Sequence, residues 1–222
     1  MKEEEKIVLI RENVNAELQL LKAQIHPHFL FNTLNNIYSF TLVKSRMAGE
    51  LILKLSDTLQ YMINDCKASH VPLVKELKII EDFIDLQKVR YGNRLQLQVA
   101  IEGNAENKFI TPLLLIPFVE NCFKHGTSKM LDYPWLKLEI EIMDKVLFFR
   151  LSNSKPSQVS VASTNSGIGL KNVQKRLALL YPLTHVIQFT SDDHSFTVHL
   201  EVPLNEELIA DDVYLEKPNF YA

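Results

Sequence analysis

Cysteine is scarce in this chain: Cys66 and Cys122 are the only two in 222 residues, and neither belongs to a CxxC pair. That excludes a disulfide framework and a cysteine-based zinc site, and it fits a reducing compartment. A dense Lys/Arg run is also missing. With a formal net charge of −3 and a pI near 6.2, the chain has no clustered positive surface, so direct nucleic-acid binding is not expected. The start, Met1-Lys2-Glu3-Glu4-Glu5, lacks the basic opening and apolar core of a signal peptide. No Asp, Glu, Lys or Arg occurs between Ala23 and Val43, a superficial likeness to a membrane span. Gln24, His26, His28, Asn32, Asn35 and Asn36 interrupt it, too many polar groups for lipid, so it reads as a soluble helix with an uncharged polar face. There is no internal repeat or low-complexity tract. A P-loop is absent too, since no Gly-Lys-Ser/Thr occurs.

What is present is enough apolar material for a core, at 46% hydrophobic residues. The two halves differ in texture. Before Gly92 the only glycine is Gly49, and helix formers dominate. Leu18, Leu21, Ile25, Phe29, Leu34 and Ile37 recur at helical spacing and predict one long helix ending near residues 44–49. Leu51, Leu55, Leu59 and Met62 predict a second helix that stops near Val71-Pro72. Leu77, Ile80, Phe83, Ile84 and Leu86 predict a third, ending before Tyr91-Gly92. Two amphipathic helices joined by a short turn leave an apolar stripe exposed, and pairing of two copies into a four-helix bundle covers it economically. After residue 94 the pattern changes to short strands at 95–101, 136–143, 146–151, 186–190 and 196–202. Helices are expected at 113–123 and 169–180, and residues 205–222 read as a loose polar tail. This mixture indicates an α+β fold.

Three segments carry candidate chemistry. Gln24, His28, Asn32 and Asn35 share one helix face, and Pro27 beside them breaks the helical hydrogen-bond ladder at about 3 kcal/mol. A neutral imidazole at His28 is a competent nucleophile near neutral pH. Asn32, one turn on, can hold a ring nitrogen or position a water. The plainer alternative is a satisfied polar seam in a helical bundle. His26 and His28 point to different sides of the helix, with no third ligand for a metal. In the second segment, Glu120, Asn121, Lys124 and His125 fall within one turn of an otherwise apolar helix. An amide oxygen at Asn121 suits Mg2+, Lys124 can neutralise phosphate, and Glu120 can act as a base or order a metal-bound water. The alternative is an ordinary solvated helix end. In the third segment, Gly167-Ile168-Gly169-Leu170 opens a helix after a polar loop, where phosphate oxygens can approach backbone N–H groups. Asn172 stands where a dinucleotide fingerprint needs its third glycine.

Together and in this order the segments resemble the LytS-like sensor histidine kinases. Residues 24–36 are similar to that family's phosphoacceptor box, with His28 at the phosphorylated position. Val71-Pro72-Leu73 through Glu76 and residues 85–91 resemble the connection to its ATP-binding part. Residues 112–126 resemble the N box of GHKL ATPases, with Asn121 at the Mg2+-holding position, and residues 167–177 resemble the glycine box. The resemblance covers about residues 12–203. It implies a dimerising, histidine-bearing hairpin over 1–91, a GHKL (Bergerat) α/β sandwich with a mixed, mostly antiparallel sheet over 92–204, and the tail at 205–222. It implies ATP and Mg2+ as cofactors, a homodimer, and phosphotransfer to a response regulator, of the LytTR type in many relatives. It also implies a cytoplasmic location, with the membrane reached only through a sensor segment that this chain lacks. Two departures stand out. Relatives commonly place an aspartate where Asn153 stands, so the adenine amine would meet an uncharged acceptor. The loop over 155–166 is short for an ATP lid. The Asn153 departure leaves open a second reading, a non-catalytic nucleotide-sensing dimerisation module with a degenerate site. Many histidine kinases also have an acid after the phosphorylated histidine, where this chain has Phe29, so Glu120 and no dedicated base both stand.

Overall fold

Strict alternation along three strands sets the architecture. Leu136, Leu138, Ile140 and Ile142, then Leu147, Phe149 and Leu151, then Val198, Leu200 and Val202 are all buried, while the residues between them are more exposed. Side chains alternate across a strand, so these three segments each present one apolar face to a common core. The computed structural model describes residues 47–125, 133–155 and 168–206. They form α1 (Met47–Asn64), β1 (Val71–Pro72), α2 (Leu73–Tyr91), β2 (Gln96–Gly103), β3 (Phe109–Ile110), α3 (Ile116–His125), β4 (Trp135–Met143), β5 (Val146–Ser154), α4 (Ile168–Leu180), β6 (Val186–Ser191) and β7 (Ser195–Pro203). Five strands make one sheet in the order β2-β4-β5-β7-β6. Only the β2–β4 pair is parallel; the others are antiparallel. This is the mixed, mostly antiparallel sheet of the expected α+β class.

The helices cover the apolar face. Phe118 of α3 meets Phe149 of β5 with ring centroids 5.8 Å apart, and Val173 and Leu177 of α4 join the same core. At the far edge, Gly103 ends β2 with φ +96°, and a Cβ there would lie 2.3 Å from the Ile142 carbonyl oxygen. The strands expected at 136–143 and 146–151 pair as a β-hairpin that turns at Asp144-Lys145, with Asp144 in the left-handed region at φ 49°.

α1 and α2 pack antiparallel, as the order of their polar ties shows. Lys54 Nζ reaches Asp82 Oδ1 at 3.0 Å, and Tyr61 Oη donates to Glu76 Oε2 at 2.6 Å. Just past the end of α1, Asp65 pairs with Lys75 at 2.9 Å. Leu51, Leu55, Thr58 and Met62 form the buried stripe of α1.

Three expectations need correction. Gly49 lies inside α1 rather than in a turn before it. Residues 113–115 are not the start of the helix, which begins at Ile116; Leu113 has φ 52°, which no α-helix tolerates. Asn205, assigned to the tail, exchanges both backbone hydrogen bonds with Phe109, at 2.8 and 3.0 Å. β1 and β3 pair antiparallel and were not expected at all. The helix expected over residues 18–49 and the tail beyond 206 lie outside the described residues, apart from 47–49. Among the described residues, no helix is long and apolar enough to cross a membrane.

Candidate functional site

Helix α3 divides cleanly into two faces. Ile116, Phe118, Val119, Cys122 and Phe123 are buried, because the sheet and α2 take that side; Phe123 meets Phe83 edge-on at 5.8 Å. The opposite stripe carries Glu120 and Asn121, half-buried, and Lys124, exposed. The spacing of Asn121 and Lys124 thus puts a neutral oxygen ligand and a cation on one accessible helix face. His125 closes α3, and its side chain lies outside the described part. Cys122 is buried on the apolar side, and burial pushes its thiol well up.

Asn153 sits on the inward face of β5, buried between its cross-strand partners Leu136 and Phe196. Its Nδ2 donates to the Ser154 carbonyl at 2.7 Å. That fixes the amide so that Oδ1 is its remaining acceptor. Oδ1 is fully buried and has no hydrogen-bond partner among the described residues. A buried acceptor left unmatched costs about 1–3 kcal/mol, so a site that keeps one is suited to a donor from a ligand. An adenine amine is such a donor, and Leu136 and Phe196 flank it with apolar surface. The donor set therefore fits an adenine nucleotide, with Asn121 as the hard oxygen that a Mg2+ ion accepts.

Ile168, Gly169 and Leu170 open α4 directly after Gly167. Gly167 itself is outside the described residues. The first turn of a 13-residue helix offers N–H groups that have no intrahelical partner, at the positive end of its dipole. His28 and Asn32 also lie outside the described residues; α3, which carries Asn121, packs against both α4 and β5, the strand that carries Asn153.

The turn that leads into α3 is held by residues to which the motif reading gave no role of their own. Glu76, on α2 and wholly buried, accepts from Leu113 N at 2.9 Å through Oε2. Its Oε1 accepts from Leu114 N at 2.9 Å and Leu115 N at 3.2 Å. Arg176, on α4 and buried, donates to Leu113 O at 2.7 Å and to Pro112 O. Tyr181 Oη accepts from Thr111 N at 3.1 Å and donates to Thr111 Oγ1 at 3.0 Å. Burial pushes the Glu76 carboxyl up, against the pull of Tyr61, the backbone N–H groups and Arg176. Burial likewise pushes the Arg176 guanidinium down, against the charge of Glu76. A signal for both residues existed in the sequence. Each is a single charge inside an apolar helical stripe: Leu73-Glu76-Leu77-Ile80 and Val173-Arg176-Leu177-Leu180.

A family model described as Histidine kinase matches residues 16–95. The chain is 29% identical over 193 residues to the sensor histidine kinase BtsS of Escherichia coli, covering 86% of this chain and 34% of that protein. It is 24% identical over 200 residues to the sensor protein LytS of Staphylococcus epidermidis, covering 85% of this chain and 34% of that protein. The chain thus spans about a third of the length of these relatives. Among solved structures, the histidine kinase domain of a blue-light activated kinase from Erythrobacter litoralis matches with a TM-score of 0.45 and 15% identity. That match covers 86% of this chain and 95% of the other.

Proposed function

We propose that the chain is a LytS-like histidine kinase that uses Mg-ATP to phosphorylate its own His28 and then passes the phosphoryl group to an aspartate of a response regulator. The observation that carries this reading is the Oδ1 of Asn153, buried and without a hydrogen-bond partner among the described residues, the kind of acceptor an adenine amine would satisfy. Asn121 would hold Mg2+ through its amide oxygen, and the ion when bound supplies charge neutralisation at the phosphates. Lys124 adds a cation on the same helix face, with His125 beside it. Gly167, Ile168, Gly169 and Leu170 let phosphate oxygens approach the N–H groups that open α4.

The neutral His28 imidazole attacks the γ-phosphorus in line, an N–P bond forming as the bond to the ADP oxygen breaks. Such a transfer asks mainly for positioning and charge neutralisation. Asn32, one turn from His28, orients the ring, and Glu120 takes a proton or orders a metal-bound water. The histidine-bearing hairpin occupies 1–91, the ATP-binding part 92–204 with Asn205 joined to it, and the tail the residues beyond. A hairpin with an exposed apolar stripe supports a homodimer; on α1, Ile52, Leu53 and Ile63 are all exposed. A regulator of the LytTR type and a cytoplasmic location, where ATP is available, complete the reading.

Calorimetric titration with ATP, in Mg2+ and in EDTA, tests the site. Wild type is expected to bind Mg-ATP more tightly than free ATP, and Asn121→Ala to lose that difference together with phosphate incorporation. Binding that is indifferent to Mg2+ in the wild type contradicts the metal assignment.

A further inference from the structure

The turn before α3 is strained and doubly gripped. Leu113 adopts φ 52°, a conformation that costs a non-glycine residue energy and persists only where its surroundings dictate it. Its own N–H is taken by Glu76 and its own carbonyl by Arg176. These partners come from α2 and α4, so the first residues of α3 have no freedom to shift independently of either helix. Glu76 is in turn held from a third helix. Tyr61 of α1, buried at 4% exposure, donates to the same Oε2 that receives Leu113 N–H. The carboxylate accepts four hydrogen bonds, two on each oxygen, and Tyr61 shares Oε2 with Leu113. A change in the position of α1 therefore alters the acceptor that fixes Leu113, and with it the helix that carries Asn121.

We propose that Tyr61 and Glu76 are positioning residues, and that their buried hydrogen bond sets the placement of the Asn121 helix according to the position of α1. The inference rests on the nucleotide-binding reading above. It separates the two ends of the ligand. Asn153 lies on the sheet, away from the clamped turn, whereas Asn121 rides on α3. Loosening the clamp displaces the metal–phosphate end and leaves the adenine end in place.

The test measures affinity for ADP in EDTA and for Mg-ATP, on the full chain, in four proteins besides wild type. Tyr61→Phe removes one hydroxyl and keeps the ring packing. Glu76→Gln places a donor among donors. The double variant Tyr61→Phe/Glu76→Gln tests coupling, and Lys75→Ala removes only the exposed Asp65 tie between the same helices. The expected result is a loss of about tenfold in Mg-ATP affinity for Tyr61→Phe, with ADP affinity unchanged within about twofold. Glu76→Gln should show the same split, and the double variant should be no worse than Glu76→Gln, since both act through one contact. Lys75→Ala should bind like wild type. If Glu76→Gln does not fold, Tyr61→Phe alone decides. Equal weakening of ADP and Mg-ATP, or unchanged Mg-ATP affinity in Tyr61→Phe, overturns the inference. A wild type that binds no Mg-ATP overturns instead the reading on which it rests.

Discussion

The amide of Asn153 occupies a position where charge would help a ligand and hurt the apoprotein. With Nδ2 committed to Ser154 and Oδ1 unpartnered among the described residues, an incoming amine gains a neutral hydrogen bond. An aspartate would make it charge-assisted and roughly twice as strong. Asn153→Asp is therefore expected to tighten adenine nucleotide binding by about tenfold while lowering the unliganded unfolding temperature, because the carboxylate is buried without a partner. Asn153→Leu should keep the fold and abolish adenine recognition. Paired calorimetry and thermal denaturation check both. Asp192 offers a second residue-scale case, at the β6–β7 turn. Its carboxylate accepts from Ser195 Oγ at 2.7 Å, His194 N at 2.7 Å and Ser195 N at 2.6 Å. The Ser195 hydroxyl, then these backbone N–H groups, hold it down to about 2. A carboxyl whose folded value is depressed stabilises above the ordinary carboxylate range and loses that contribution as pH falls toward 2. Denaturant midpoints measured from pH 7 to pH 2 should show Asp192→Ala less stable than wild type at neutral pH, with the gap closing on acidification.

At the scale of elements, the close approach of β2 and β4 depends on Gly103. Both its positive φ and the nearness of the Ile142 carbonyl oxygen exclude a side chain. Gly103→Ala is expected to lower stability by about 2–3 kcal/mol, read from denaturant unfolding, without altering residues at the nucleotide site. Elements with strong periodicity were legible from sequence. β4 and β5 announced themselves by alternation around Asp144-Lys145, and α1, α2 and α4 by their apolar stripes. Elements decided by distant partners were not. The run Leu113-Leu114-Leu115-Ile116 reads locally as helix, yet its first three residues are pulled out of helical geometry by Glu76, at least 37 residues away, and Arg176, 63 residues from Leu113. The two-residue strands β1 and β3 are too short to show any period. The site followed the same division. Asn121 and Lys124 were readable because one helical turn displays them together. The clamp behind them was not, because it joins three helices that meet only in the folded chain.

For the whole molecule, the described part joins the five-stranded sheet to its helices, with α1 tied to α2 by Lys54–Asp82 and Tyr61–Glu76. The proposed acceptor, His28, precedes α1 in the chain and lies beyond the described residues. Central to the proposed function is that phosphate moves from ATP to this histidine. Purified chain incubated with γ-labelled ATP and Mg2+, alongside His28→Ala, tests it most directly, with ATP binding measured on both proteins. The expected result is label that survives alkali, is lost in acid, and is absent from His28→Ala although that variant binds ATP as wild type does. Label at the wild-type level in His28→Ala would contradict the acceptor assignment, and ATP binding with no label on either protein would contradict the kinase reading itself.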